Sequence, residues 1–216
     1  GAIRVDSLDE MVDLCKGFSY LPPVKGRKVA IITNSGGPGV MTADLGEQLG
    51  LDICEPSEKI KDELKSFLPA WAGFKNPIVM TVEGTGENYR KTVETTLKEF
   101  DAAVPIFFGP PFMDTTPMAE GIYAAFRNSG KPVAVAMETG LNAARSVAYM
   151  RDNGLPNFPS TERAIKVLRK MYAYEEYRES LKKSAPVTPV AAKNADVKSP
   201  LLEPDAMALL TENGIA

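Results

Sequence analysis

Thr33-Asn34-Ser35-Gly36-Gly37-Pro38-Gly39-Val40 contains the residue types from which a chain builds a backbone anion site. It follows Val29-Ala30-Ile31-Ile32, a run of small or β-branched apolar residues that reads as a buried parallel strand. Glycines let the backbone turn sharply and leave its N–H groups uncovered. Pro38 suits the first turn of a helix, where its missing N–H costs nothing. At such a helix start the free N–H groups and the helix dipole point the same way, so the loop is expected to hold a phosphoryl group. The plain alternative is a tight βα turn without a ligand. Named nucleotide motifs do not fit. The dinucleotide pattern G-x-G-x-x-G needs other spacings, and a P-loop needs Gly-Lys-Ser/Thr where Gly39-Val40-Met41 stands.

A second loop, Gly109-Pro110-Pro111-Phe112-Met113, follows the apolar run Val104–Phe108. It reads either as a stiff turn or as the wall of a small organic-substrate site, since Phe112 and Met113 would otherwise be exposed apolar groups. Glu83 and Glu87 flank Gly84-Thr85-Gly86 and form a carboxylate pair on paper; a solvated loop is the commoner meaning. Glu138, at the end of an apolar run, is a further acid/base candidate, again with a bland structural alternative. Trp71 is expected to pack under its own loop. The sequence contains no histidine, which removes Ser-His and Cys-His catalysis and most zinc sites from this stretch. Its two cysteines, Cys15 and Cys54, are read as small core hydrophobes in a reducing compartment.

The elements that must position these loops alternate. Ala2–Val5 reads as a short strand, and Ser7-Leu8-Asp9-Glu10 as a capping box. Leu8, Met11, Val12, Cys15 and Phe18 then fall at helical spacing through Tyr20. Leu21–Gly26 is a breaker-rich linker. The strand ending at Thr33 is followed by a helix from Pro38 to Leu49, with Met41, Leu45 and Leu49 on one face. Leu51–Cys54 reads as a strand, Ser57–Phe67 as a capped helix, and Asn76–Thr81 as a strand. A helix carries Tyr89, Val93 and Leu97. Val104–Phe108 reads as a strand despite Pro105, which cannot donate to a ladder. Helices from Pro117 to Arg127, Leu141 to Asp152 and Ser160 onward alternate with strands at Pro132–Met137 and Leu155–Phe158. This order predicts one doubly wound α/β domain with a parallel, flavodoxin-like sheet over residues 28–177. Ligands of such sheets sit at the carboxyl ends of the strands, where both loops fall. Ser184–Pro200 reads as a flexible linker, and a new helix starts near Glu203, with Asn213-Gly214 as its C-cap.

The composition, 44% hydrophobic and 25% charged, is that of an ordinary globular protein, and 216 residues suffice for one full domain plus fragments. A net charge of -3 gives no electrostatic case for nucleic acid or an anionic membrane. No apolar run approaches the ~20 residues of a membrane helix. A cytoplasmic location is expected. The chain opens at Gly1 without Met and closes in what reads as an unfinished helix, so it is expected to be a piece of something longer.

Gly26-Arg27-Lys28-Val29-Ala30-Ile31-Ile32-Thr33-Asn34-Ser35-Gly36-Gly37-Pro38-Gly39-Val40-Met41 closely resembles the opening of the second flavodoxin-like (ligase) domain of NDP-forming acyl-CoA synthetases. These are relatives of succinyl-CoA synthetase and ADP-forming acetyl-CoA synthetase. Ile3–Met11 resembles the end of the family's preceding CoA-ligase domain, and Leu201–Ala216 the first helix of its ATP-grasp domain. The resemblance implies a tail of that preceding domain at 1–20, linkers at 21–27 and 178–200, the ligase domain at 28–177, and the start of an ATP-grasp domain at 201–216. It implies the reaction of acid, CoA and ATP to acyl-CoA, ADP and phosphate, through an acyl phosphate and a phosphohistidine that lies upstream of Gly1. It places phosphoryl binding on Asn34, Ser35, Gly36, Gly37 and Gly39, and the acid-substrate loop on Gly109, Pro110 and Pro111.

No catalytic residue and no metal ligand is expected within the stretch itself, which alone should be inactive. CoA, ATP/ADP and Mg²⁺ serve the full enzyme. The implied partners are the neighbouring CoA-binding and ATP-grasp domains and a small carboxylic acid, in a homo-oligomer. Val79 stands where the family often has an Asp after Asn-Pro-x, a departure that leaves the acid open. The alternatives are a non-catalytic synthetase-like region of a protein lysine acetyltransferase, or an acyl-CoA-forming lyase.

Overall fold

A computed structural model describes residues 2–81, 84–109, 113–137, 143–183, 202–212 and 214. β1 (Val29–Thr33) is buried along its whole length, as its unbroken apolar run requires of a strand covered on both faces. It pairs in parallel with β2 (Ile78–Val79) on one side and β3 (Ala102–Phe107) on the other. β4 (Val135–Met137) and β5 (Asn157–Phe158) continue the sheet in the order β2-β1-β3-β4-β5, all parallel.

Side chains alternate across this sheet into two cores. Val29, Ile31, Val104 and Ala134 pack with Leu14 of α1 (Leu8–Tyr20), Leu45 of α2 (Gly36–Gln48) and Leu168 of α7 (Thr161–Lys183). Ala30, Ile32, Ala103 and Val135 meet Leu64 of α3 (Glu58–Lys65), Val93 of α4 (Gly86–Thr96), Ile122 of α5 (Thr116–Ser129) and Met150 of α6 (Ala144–Asp152). Helices on both faces of a parallel sheet make the domain doubly wound α/β, as expected. The chain divides into two compact units, residues 1–182 and 183–216. In the second, α8 spans Glu203–Glu212, with Glu203 and Asp205 in its first turn. No described helix is long and apolar enough to cross a membrane.

Pro105 lies inside β3, a central strand, and the ladder shows how it is accommodated. Ala103 donates its N–H to Pro132 and accepts from Ala134, so odd-numbered N–H groups of β3 face β4. Pro105 is the next in that row and has none to give. The β3–β4 pairing accordingly breaks between the Ala103–Val133 bridge and the Ile106–Ala136 pair.

Several expectations are corrected. Ala2–Val5 forms no strand. Residues 51–54 contribute a single bridge, Asp52 to Lys28, instead of a strand. The reason is Asn76, whose side-chain amide takes the next positions along β1: Oδ1 accepts from the Ile31 N–H at 2.9 Å, and Nδ2 donates to the Val29 carbonyl at 2.8 Å. α1 is capped by Ser7, whose Oγ accepts the Glu10 N–H, while the Glu10 carboxylate reaches back to the Asp6 N–H at 2.7 Å. Its apolar stripe, however, faces outward: Leu8 is 77% exposed, and Met11, Val12, Cys15 and Phe18 are exposed too. The helix buries Asp13, Leu14 and Gly17 instead. A Cβ on Gly17 would stand 2.5 Å from the Val167 side chain, so glycine lets α1 lie close on α7. Asp13 is buried against Arg163, which grips it with two guanidinium N–H groups. Cys54 is half-buried, Trp71 is 66% exposed rather than packed under its loop, and Met41 is 61% exposed.

Candidate functional site

The strand register brings the expected loops together. Thr33 is level with Val79 of β2 and with Ile106 of β3, so Asn34, Met80 and Phe108 leave the sheet at one carboxyl edge. The glycine-rich stretch is not a sharp turn. α2 begins at Gly36, two residues before the expected Pro38, and only Asn34 and Ser35 connect strand to helix. Gly36, Gly37 and Gly39 have no positive φ. Their value lies elsewhere. A Cβ on Gly39 would approach the Thr33 Cγ2 to 2.8 Å and the Pro77 Cβ to 3.2 Å, so Gly39 lets the helix sit tightly on the strand ends. A Cβ on Gly36 or Gly37 would meet nothing within 4 Å. These two glycines are exposed at the helix start, where Ser35 makes no side-chain cap and no acidic residue occupies the first turn. A helix N-terminus with its amides uncovered and no carboxylate beside them favours an anion.

The connector is held from inside. The Ser35 N–H donates to the Thr33 Oγ1 at 3.0 Å, and that hydroxyl donates to the Ser35 carbonyl at 2.9 Å. Asn34 is buried, with its amide bonded to both backbone groups of Phe108. Tyr89, fully buried on α4, donates its hydroxyl to the Ile106 carbonyl at 2.7 Å and meets the Asn34 backbone. Burial pushes its phenol well above the ordinary range, so it stays a neutral donor. Sequence reasoning placed Tyr89 only on a helix face and missed this contact, since nothing local signals a hydroxyl reaching a strand end.

Gly109 stands at the same edge, half-buried, directly after the Phe108 that Asn34 holds. Pro110, Pro111 and Phe112 lie outside the described residues, as do Glu83 and Glu138. Met113 packs partly against the core. Beyond it, Thr115 and Ser146 are both buried and share a short hydroxyl hydrogen bond, which joins the starts of α5 and α6. The Val79 backbone pairs with Gly73 in both directions, which fixes it at this edge. Glu87 opens α4, where the Arg90 guanidinium lowers its carboxyl to about 2, helped by Lys91. It is a surface ion pair rather than an acid/base group. Among the described residues no cluster of carboxylates or cysteines is arranged to hold a metal ion.

The Ligase-CoA domain family matches residues 29–181. The alpha subunit of acetate–CoA ligase [ADP-forming] II from Pyrococcus furiosus is 37% identical over 168 residues, 75% of this chain and 36% of that one. A solved structure from Pyrococcus horikoshii OT3 shares 34% identity with a TM-score of 0.74, over 80% of this chain and 41% of that one. The apo structure of a dinucleotide forming acetyl-coenzyme A synthetase 1 from Ca. Korarchaeum cryptofilum gives a TM-score of 0.77 at 29% identity, over 85% of this chain and 41% of that one. A second structure of that synthetase holds phosphate and ADP. The chain thus spans about two fifths of the relatives it matches. Matched by the family model over residues 29–181, most of its length, the chain belongs to the Ligase-CoA domain family.

Proposed function

We propose that the chain is the ligase-domain portion of an ADP-forming acyl-CoA synthetase, and that the start of α2 steadies a phosphoryl group in transit. In the overall reaction phosphate displaces CoA from acyl-CoA to give an acyl phosphate. A histidine outside this chain takes the phosphoryl group and releases the acid, and ADP then takes it from the histidine. The contribution here is electrostatic: the exposed N–H groups of Gly36 and Gly37 are held ready for phosphoryl charge, with Gly39 seating the helix start on the strand ends, so little reorganisation is needed as that charge moves. Ser35 sits at the cap, while Asn34 acts by fixing the turn. The same reading assigns recognition of the small carboxylic acid to Gly109, Pro110 and Pro111.

The observation that carries the reading is the open first turn of α2, free of caps and carboxylates, at the carboxyl edge of the sheet. Support comes also from the phosphate and ADP held by a solved relative. CoA and nucleotide, with its Mg²⁺, belong to the neighbouring CoA-binding and ATP-grasp domains in this reading. Residues 1–20 are the tail of the first of these, and 201–216 the start of the second. A homo-oligomer in the cytoplasm completes the proposal.

Product analysis on the full-length protein tests it, with ATP, Mg²⁺, CoA and a panel of carboxylic acids. ADP, phosphate and acyl-CoA appearing together, dependent on acid and CoA, are expected. AMP and pyrophosphate would refute the phosphohistidine route. Absence of turnover with every acid would favour the regulatory region of a lysine acetyltransferase.

A further inference from the structure

Lys16 on α1 lies away from the carboxyl-edge site and has an environment that no part of the ligase reading uses. Its ammonium donates to the Asn157 carbonyl at 2.9 Å and stands 5.3 Å from the centre of the Phe158 ring, so the amine is held in one place. Asp13, the acid closest to it in the chain, is already gripped by Arg163, and among the described residues no carboxylate pairs with Lys16. Beside the amine opens a cavity of about 300 Å³ lined by Tyr20, Val147, Arg151, Leu155 and Pro156, with no carboxylate among its described walls. The chemistry is that of a seat for a small anion with an apolar body. Val147, Leu155 and Pro156 suit a short acyl chain. Arg151, whose Nε is taken by Asp152 at 2.9 Å, keeps guanidinium N–H groups for oxyanions.

We propose that Lys16 is an acylation site whose reagent is a small acyl phosphate bound in this cavity. The neutral amine attacks the acyl carbonyl carbon and a C–N bond forms. The bond from that carbon to the phosphoryl oxygen breaks, phosphate leaves with the electron pair, and the surplus amine proton passes to water. Several groups set the amine's readiness. Burial holds the Lys16 ammonium below the usual lysine range and Arg163 of α7 reinforces that shift, while the Asp13 charge opposes it and the Asn157 carbonyl and Phe158 ring favour the ammonium that must lose its proton before attack. Arg151 on α6 adds a further like charge at the cavity. The amide formed keeps one N–H for Asn157 and loses the cation over Phe158, so modification would weaken the hold of α1 on β5.

The test incubates the full chain with acetyl phosphate and follows each lysine by peptide mass spectrometry. At about pH 8, Lys16 is expected to react on the order of tenfold faster than exposed Lys25 and Lys59, and to reach its plateau at lower pH than they do. Val147→Phe, which fills the cavity without touching the amine, should return Lys16 to their rate and leave theirs unchanged. A Lys16 rate no higher than theirs, or one that Val147→Phe leaves unaltered in a folded protein, would overturn the proposal. The reagent is supplied from outside, so the outcome is independent of the ligase role.

Discussion

The side-chain amide of Asn34 grips the backbone of Phe108 at two points, donating to its carbonyl at 2.9 Å and accepting its N–H at 3.1 Å. A single buried amide thereby ties the loop that opens α2 to the loop that leaves β3. Asn34→Asp retains the acceptor and sets a carboxylate against the Phe108 carbonyl; Asn34→Leu removes both bonds. Each should destabilise the protein by about 1–3 kcal/mol, read from the midpoint of urea unfolding. Equal stability in either variant would show that the clamp contributes nothing.

The glycines at the start of α2 should separate by role. Gly39→Ala forces a methyl onto Thr33 and Pro77 and should cost about 1–3 kcal/mol of stability. Gly37→Asp meets open space and places a carboxylate at the favourable end of the helix dipole, so stability should hold or rise slightly. On the proposed function, the same carboxylate in the full-length protein would oppose the phosphoryl group, and turnover should fall by roughly tenfold or more. Unchanged turnover would remove the phosphoryl role from this turn.

Gly86 and Gly121 let α4 and α5 meet backbone to backbone. A Cβ on Gly121 would stand 2.0 Å from the Gly86 carbonyl oxygen, and one on Gly86 would stand 2.1 Å from the Pro117 oxygen. Backbone cannot yield as a side-chain tip can. Gly121→Ala should therefore cost about 3 kcal/mol or more, or prevent folding, whereas Gly130→Ala would test only the strain of a left-handed residue at the end of α5. Thermal unfolding of Gly121→Ala at wild-type temperature would contradict the packing described.

Acid should loosen α1. The Asp6 N–H holds the Glu10 carboxyl below the ordinary glutamate range; burial opposes it, and Lys170 and Lys166 assist. A carboxyl lowered in the folded state adds stability above its unfolded pKa, about 4.3, and that contribution disappears as pH falls through the lower folded value. Glu10→Gln should accordingly be less stable than the wild type at neutral pH, and the gap should close below about pH 4. A gap independent of pH would place the effect in packing rather than charge.

Much of this architecture is legible in the sequence because its strands are buried on both faces and read as continuous apolar runs. The presence of α2 was legible because a strand, glycines and a proline in order leave few alternatives, but its start was not: the helix already begins at Gly36, before Pro38. What was not legible is non-local. Leu51–Cys54 has the pattern of a strand, yet the β1 positions it would occupy are filled by the side chain of Asn76, a substitution that no window around residue 52 contains. The periodicity of Leu8, Met11, Val12 and Cys15 identifies the helix correctly and the buried face wrongly. The choice is made by Gly17 fitting under Val167 and by Asp13 finding Arg163, 150 residues away. At the site, glycine chemistry exposed the donor turn, while the Tyr89 contact beneath it depends on a hydroxyl that helical spacing treats as one more core position.

Pro105 gives the sheet a seam. With the ladder broken there, β2, β1 and β3 form one continuously bonded raft, and β4 with β5 forms another, joined to it at the Ala103–Val133 bridge and again from Ile106 onward. The Asn34–Phe108 clamp, the Tyr89 hydroxyl and the open turn of α2 all belong to the first raft. The second carries the segment that Lys16 grips. A proline in a central strand thus divides the sheet's hydrogen bonding into two sets, with the contacts around the α2 start gathered in one of them.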